Sequence, residues 1–371
     1  TTQKHYLHNC TFAKREDGSF LMVNRHGHVW FGEDGLSKFH RVSPARVYPL
    51  AEGAYEDPCV WRTNVQYHLI VNDWKGRIAW HLRSKDGVSW KVDSGEAYMP
   101  GISVHETGIQ EDWFKYERVK VLQDQHGRAY AANFAVIDAL KHSDLANDNH
   151  SSKLITVPMV KGRLLIVENE MALGLDTKEI RVRVQAEPGF DPHHDIDMEA
   201  TRFGAPEEVD FGRGCKILSS HADGKDLILV FDGEGNGFSD HNFAGKLIGK
   251  DSDGKLLFGY CRLPEVNYAP PILSSRLPVV AKLDGQQVLN VEVRNLGQSM
   301  ASGGTVSVLV AHDGGWSEIG SGNVPDLRPF ESAMLSMSAT ERVPVGRHCR
   351  VMIRTECPGG ETEELAREIS F

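Results

Sequence analysis

The chain lacks any apolar run near the 20 residues or so that a helix needs to cross a bilayer. It also lacks a secretory leader before its first strand-like residues, and Thr1 is therefore expected to open a mature or truncated product. Positive charge is in deficit: 41 Lys and Arg stand against 51 Asp and Glu, a formal net charge of −10. A general nucleic-acid binder needs a basic face to neutralise phosphates, so no nucleic-acid partner is expected. Cysteine is sparse. The six residues (Cys10, Cys59, Cys215, Cys261, Cys349 and Cys357) show neither metal-ligand spacing nor the density of a disulfide scaffold, and read as free, buried thiols. There is no Gly-rich phosphate loop, nucleophile elbow or zinc motif, which leaves little support for nucleotide or serine-hydrolase chemistry.

Glycine, in contrast, is abundant, with 36 residues, many in turn pairs such as Asp17-Gly18, Asp34-Gly35 and Asp86-Gly87. Short alternating runs between such turns predict an all-β chain. Residues 8 to 43, 55 to 95 and 116 to 133 repeat one pattern of strands and turns, and Lys153 to Val157 with Leu164 to Val167 reads as a fourth, partial unit. Unit starts at Asn9, Asp57 and Glu117 are 48 and 60 residues apart. Units of roughly 40 to 50 residues with four strands each are the signature of propeller blades, which must stack to bury both faces. About three and a half blades cannot close a ring, so at least one is expected upstream of Thr1 or from another chain. Residues 175 to 267 read as a β-sandwich, Ala269-Pro270-Pro271 as a stiff linker, and residues 272 to 371 as a second sandwich. The blades would occupy residues 1 to 170.

In a propeller the innermost strands converge on the axis. In the register above, Asn9, Asp57 and Glu117 are equivalent, so Asp57 and Glu117 become paired carboxylates in one pocket. Such a pair can divide acid and base roles when its surroundings separate the two pKa values. The plainer readings stay open: Asp57 as a turn residue before Pro58, and Glu117 as the partner of Arg118. Asp73 and Trp74 follow a second strand, where Trp74 could stack on a sugar ring or sit in a surface turn. His105 lies in the loop leading to Glu117. Ser84-x-Asp86-Gly87-x-x-Trp90 is a capped turn. Asp191-Pro192-His193-His194-Asp195-Ile196-Asp197 has metal-like composition, but strand neighbours point apart, so no metal site is assigned. Asp251-Ser252-Asp253-Gly254 lacks the downstream Glu of a calcium loop and reads as a hairpin.

Residues 1 to 168 resemble the five-bladed propeller glycoside hydrolases of the clan that includes families 43 and 117. Asp57-Pro58 matches that clan's pKa-tuning Asp, and Glu117 matches its general acid. The Asp general base of the first blade has no counterpart. The resemblance implies hydrolysis of glycosidic bonds in a plant or algal polysaccharide or oligosaccharide, by inversion, with Asp57 and Glu117 catalytic. His8, Asn9, Asp73, Trp74, His105 and Arg118 would bind the sugar. His105 is the alternative acid, because family 117 uses a histidine. The sandwiches resemble immunoglobulin-like modules of bacterial polysaccharide degraders, which implies a secreted or periplasmic protein. The cofactor is left open, a structural divalent cation among the options. The rival readings are a non-catalytic carbohydrate-binding propeller and a structural surface module.

Overall fold

The computed structural model describes residues 8–15, 19–33, 35–36, 39–111, 113–140, 143, 153–266, 270–283, 286–297, 299–312, 314–327, 331–340, 343, 346, 348–358 and 362–371. The expected turn at Asp17-Gly18, together with Asp34 and Ala269, lies outside them. Among the described residues the elements are β-strands apart from one short α-helical turn, and the chain divides into two compact units, Thr1–Val266 and Asn267–Phe371.

The first unit opens with two antiparallel meanders. One holds β1 (Thr11–Lys14), β2 (Phe20–Val23), β3 (Val29–Gly32) and β4 (Phe39–Arg41); the other holds β5 (Tyr55–Arg62), β6 (Tyr67–Asp73), β7 (Ile78–Ser84) and β8 (Lys91–Tyr98). A third sheet consists of β9 (Lys115–Gln123), β10 (Ala129–Ile137) and β11 (Lys153–Pro158). The leading strands pack in series, β1 against β5 and β5 against β9, as stacked blades do. Burial explains the order. Every residue of β6 is buried, so the second sheet must be covered on both faces. Leu21, Val23, Val29 and Phe31 of the first sheet are also sealed from water. The Asp86 turn has the expected chemistry: Oδ1 accepts from the N–H groups of Val88 and Ser89 at 2.7 and 2.8 Å, and the Trp90 indole donates to the Gly87 carbonyl at 2.8 Å.

The expected fourth blade does not form among the described residues. Its two halves part company: β11 edges the third sheet, whereas β12 (Arg163–Val167) joins the strands that follow. Those strands are β13 (Ile180–Val184), β14 (Arg202–Gly204), β15 (Cys215–Asp223), β16 (Asp226–Phe231), β17 (Ala244–Lys250) and β18 (Leu256–Arg262), with a helical turn α1 (Pro206–Val209). They are not the two-layer sandwich the sequence suggested. They close in the order β12-β13-β16-β15-β14-β17-β18, the seam being a parallel pairing of Arg163 and Leu164 with Gly259 and Tyr260. Closure removes the open edges a sandwich would keep. The interior is filled by Val182, Phe203, Leu229, Phe231, Phe238, Leu247 and Leu257. Arg128 ties the third sheet to this barrel. Its guanidinium donates to both Glu187 carboxylate oxygens at 2.9 and 2.5 Å and to Asp124 Oδ2, the forked geometry that makes such pairs strong.

A buried polar ring lies in the second sheet. Arg83 donates to Asp93 Oδ1 at 2.6 Å and to Gln66 Oε1 at 3.4 Å. His81 Nδ1 meets Asp93 Oδ2 at 2.8 Å, His68 Nδ1 meets His81 Nε2 at 3.1 Å, and Gln66 Nε2 meets His68 Nε2 at 3.5 Å. Trp61 stacks on His68 with centroids 4.9 Å apart.

The second unit is a two-layer sandwich. One sheet holds β19 (Leu273–Ser275), β20 (Val279–Leu283), β21 (Gln286–Asn295) and, on the far side of β21, β24 (Ser332–Ser338). The other runs β23-β22-β25-β26, where β22 is Gly304–His312, β23 Gly315–Val324, β25 His348–Glu356 and β26 Glu363–Ser370. Leu289, Val291, Val293, Val306, Val308, Val351 and Ile353 share one core, as alternation on both inner faces requires. All six cysteines are free thiols.

Candidate functional site

The site is built from irregularities at the starts of the leading strands. In β5 the pairing with β6 slips between Glu56 and Cys59, and in β9 the pairing with β10 slips between Glu117 and Lys120. Each slip is a bulge, and in each one residue is left-handed: Asp57 at φ 49° and Arg118 at φ 53°. Asn9, just ahead of β1, has φ 46°. Such backbone is unfavourable for residues other than glycine and persists only where surroundings hold it. The structural equivalents are therefore Asn9, Asp57 and Arg118. This corrects the register read from the sequence, which paired Asp57 with Glu117. The counterpart of Glu117 is Glu56, one residue earlier.

The shift by one residue changes which groups meet. Asp57 is 8% exposed and accepts a hydrogen bond from Asn9 Nδ2 at 2.8 Å. Burial pushes its carboxyl up, Arg118 opposes this, and Glu117 adds to it. Glu56 and Glu117 instead line one open cleft of about 520 Å³, together with Arg25, Trp74, Lys75, Arg77, Phe114, Lys115 and Leu140. Both carboxylates are 18% exposed. Arg25 lies 3.0 Å from Glu56 Oε2, and Lys115 Nζ lies 3.1 Å from Glu117 Oε1. Burial raises the Glu56 pKa, the carboxylates of Asp57 and Glu117 add to the rise, and Arg25 and Lys115 oppose it.

The remaining candidates divide. Trp74 lies in the cleft, half-buried, with Lys115 and Lys75 ammonium groups 5.0 and 5.7 Å from its ring centroid. Asp73 is a turn cap: its Oδ1 accepts from the N–H groups of Ala54 at 3.0 Å and Gly76 at 3.3 Å. It also borders a neighbouring cleft of about 800 Å³ that shares Lys75 with the first. His8 is exposed, and its carbonyl accepts from the Arg25 N–H at 3.2 Å. Arg118 is exposed and is not among the residues lining the cleft. His105 does not line it either; it sits in an exposed turn with Nε2 3.5 Å from Glu111 Oε1.

Sequence reasoning missed Glu56, hidden beside the more conspicuous Asp57-Pro58, and the cations Lys75, Arg77 and Lys115. A signal for Glu56 was available. Glu precedes the left-handed residue in both strands, as Glu56-Asp57 and Glu117-Arg118.

The metal-like stretch is a self-capped turn, with His194 Nδ1 2.9 Å from Asp191 Oδ2 and the Asp191 N–H donating to Asp195 Oδ2 at 2.7 Å. Among the described residues no group of three or more His, Cys, Asp or Glu is placed to hold a metal. Among them, too, no helix is long and apolar enough to cross a membrane.

No protein-family model matches the chain, and no curated protein matches it. Solved structures are similar at a distance. A sialidase aligns over 100% of this chain at 11% identity and a TM-score of 0.28, and the chain spans 28% of that sialidase. A glycoside hydrolase aligns over 96% of this chain and 95% of its own, at 10% identity and a TM-score of 0.26. A family 43 glycoside hydrolase, engineered to display both endo-xylanase and exo-arabinofuranosidase activity, aligns over 98% of this chain and 67% of its own, at 10% identity and a TM-score of 0.26. Scores this low do not establish a shared fold, and function has to be read from the cleft itself.

Proposed function

We propose that the chain is a glycoside hydrolase whose acid and base are Glu56 and Glu117. The observation that carries this reading is the convergence of two carboxylates, from equivalent places in adjoining sheets, on one open cleft beside Trp74. Hydrolysis needs one carboxyl group to protonate the leaving oxygen and a second to take a proton from the attacking water. Glu56 suits the acid, since burial and two neighbouring carboxylates favour its protonated form. Glu117 suits the base, with Lys115 holding its carboxylate. The water oxygen bonds to the anomeric carbon as the glycosidic C–O bond breaks, and the leaving oxygen departs with the proton from Glu56. Asp57 acts as a positioning residue: its charge helps keep Glu56 protonated, whereas the sequence reading had it tune Glu117 as the acid. Trp74 offers a face on which a sugar ring can stack. A polymeric substrate implies work outside the cytoplasm.

The test is release of reducing ends from a panel of oligosaccharides by the wild type, Glu56→Gln and Glu117→Gln. Activity in the wild type and its loss in both variants is expected. No release from any substrate would sink the reading.

A second reading is favoured by one observation: both cleft carboxylates are already ion-paired. A sugar-binding protein without catalysis would keep them so, and would bind oligosaccharides in calorimetry while releasing nothing.

A further inference from the structure

The cleft carries more positive charge than acid–base chemistry requires. Four cationic side chains, Arg25, Lys75, Arg77 and Lys115, line it against the carboxylates of Glu56 and Glu117. Arg25 is committed to Glu56, and Lys115 to Glu117. Lys75 and Arg77 have no carboxylate partner among the described residues. This local excess stands in a chain of net charge −10, where an average surface would be acidic.

Arg77 is also held in place at a cost. It closes the β6–β7 hairpin in the left-handed region at φ 58°, a position that suits Gly or Asn. Its Nε donates to the Phe114 carbonyl at 2.6 Å, and its guanidinium lies 4.2 Å from the Phe114 ring centroid. Those contacts fix the planar group and leave its terminal nitrogens as donors. Lys75 lies two residues earlier in the same turn and borders both clefts, and the second cleft adds Arg46. A preorganised guanidinium fork with a flanking ammonium matches a planar carboxylate.

We propose that this cleft takes an acidic oligosaccharide, its charge carried by a uronate carboxylate received by Arg77 and Lys75. The proposal rests on the reading of the cleft as a sugar site.

The test is calorimetric titration of the wild type and of the Lys75→Ala, Arg77→Ala double variant with oligogalacturonate, oligomannuronate and oligoglucuronate. Each uronide is paired with its carboxyl-reduced, neutral counterpart, at low and high salt. At least one uronide is expected to bind about tenfold more tightly than its neutral counterpart, the scale of one charge-assisted contact. Salt should weaken that preference. The double variant should lose it while keeping its circular dichroism and its affinity for the neutral sugar. Equal affinity for acidic and neutral forms, or a preference that survives the double substitution, overturns the proposal. Tighter binding of a sulfated oligosaccharide than of every uronide overturns the carboxylate assignment. Uronide binding without release of reducing ends supports the proposal and removes the hydrolase reading. Cleavage of neutral sugars without a preference does the reverse, and no binding of any oligosaccharide sinks both.

Discussion

The Asn9 side-chain amide donates to Asp57 Oδ1 at 2.8 Å across 48 residues of chain, joining the two left-handed residues that introduce successive sheets. Asp57 is buried, so this bond meets part of the solvation its carboxylate loses. Asn9→Ala would remove the donor and leave the acceptor under-satisfied. Destabilisation of about 1 to 3 kcal/mol is expected from urea unfolding. A midpoint unchanged from the wild type would show that water replaces the amide without penalty.

The paired carboxylates have separable kinetic signatures. Glu56→Gln and Glu117→Gln should each lower kcat by about 100-fold or more, the usual scale for general acid–base groups. Activated aryl glycosides need little protonation, so their turnover should survive Glu56→Gln better than that of natural substrates. A variant that retains full turnover of the natural substrate would drop the residue concerned from the mechanism.

Asp57 reaches the chemistry through charge. Its carboxylate raises the Glu56 pKa, and the acid must be protonated to act. The alkaline limb of the kcat/KM profile should therefore move to lower pH in Asp57→Asn. A purely structural role would reduce activity at every pH and leave the limb where it was.

The polar ring of the second sheet should make the fold acid-sensitive in two steps. Burial, reinforced by His81 and Arg83, holds the His68 pKa well below its ordinary value. The unfolded chain then binds the extra proton first, and stability falls as pH drops below about 6.5, the unfolded histidine value. Burial alone would raise the Asp93 pKa, but the hydrogen bond from His81 and the charge and hydrogen bond of Arg83 outweigh it and depress the value. The Asp93 contribution is thus complete above about pH 4, the unfolded value, and is lost as pH falls toward its folded pKa. Asp93→Ala would leave the Arg83 side chain, 2% exposed, with only the Glu207 carboxylate at 3.7 Å among the described residues, at a cost of about 3 kcal/mol. Unfolding free energy measured against pH checks both steps. A flat profile between pH 7 and 5 would contradict the His68 step.

Gly127 gives a test of backbone rather than charge. It has φ 78°, and an added Cβ would overlap the Arg62 carbonyl oxygen across the neighbouring sheet. Gly127→Ala should cost more than about 1 kcal/mol, unlike an alanine placed at an exposed glycine in ordinary backbone. Thermal unfolding that matches the wild type would mean that the two sheets part without strain.

How much of this was legible in the sequence depended on whether the signal was local. Turn chemistry at Asp86-Gly87 and the alternation of β13 identified strands and turns, because both are set by neighbours in the chain. The register of the leading strands was not local. A bulge inserts one residue and leaves no mark in composition, so counting from Asp57 reached Glu117 and not Arg118. The barrel escaped for a related reason. Strands of a sandwich and of a closed sheet alternate alike, and closure here depends on Arg163 and Leu164 pairing with residues almost a hundred positions later. Trp74 and Glu117 were found because they are chemically conspicuous. Arg77 and Lys75 were passed over because charged residues in a hairpin turn are ordinary until the fold shows what they face.

The ring of Gln66, His68, His81, Asp93 and Arg83 has a source and a sink, Arg83 donating to both its neighbours and Asp93 accepting from both of its own. Arg83 can only donate, so it makes Gln66 Oε1 an acceptor and turns the Gln66 amide nitrogen toward His68 Nε2. His68 must then carry its proton on Nδ1 and donate it in a hydrogen bond to His81 Nε2, and His81 must in turn donate from Nδ1 to Asp93. In this chain each imidazole donates from Nδ1 and accepts at Nε2, an order set from Arg83, the cross-strand partner of His68. Two paths leave Arg83 and both end on the Asp93 carboxylate, one direct and one through Gln66, His68 and His81. An extra proton on either histidine points two donors at each other somewhere in the loop, and only a flip of the Gln66 amide against Arg83 would reverse the flow. Nitrogen chemical shifts of one ring therefore report the state of the whole loop.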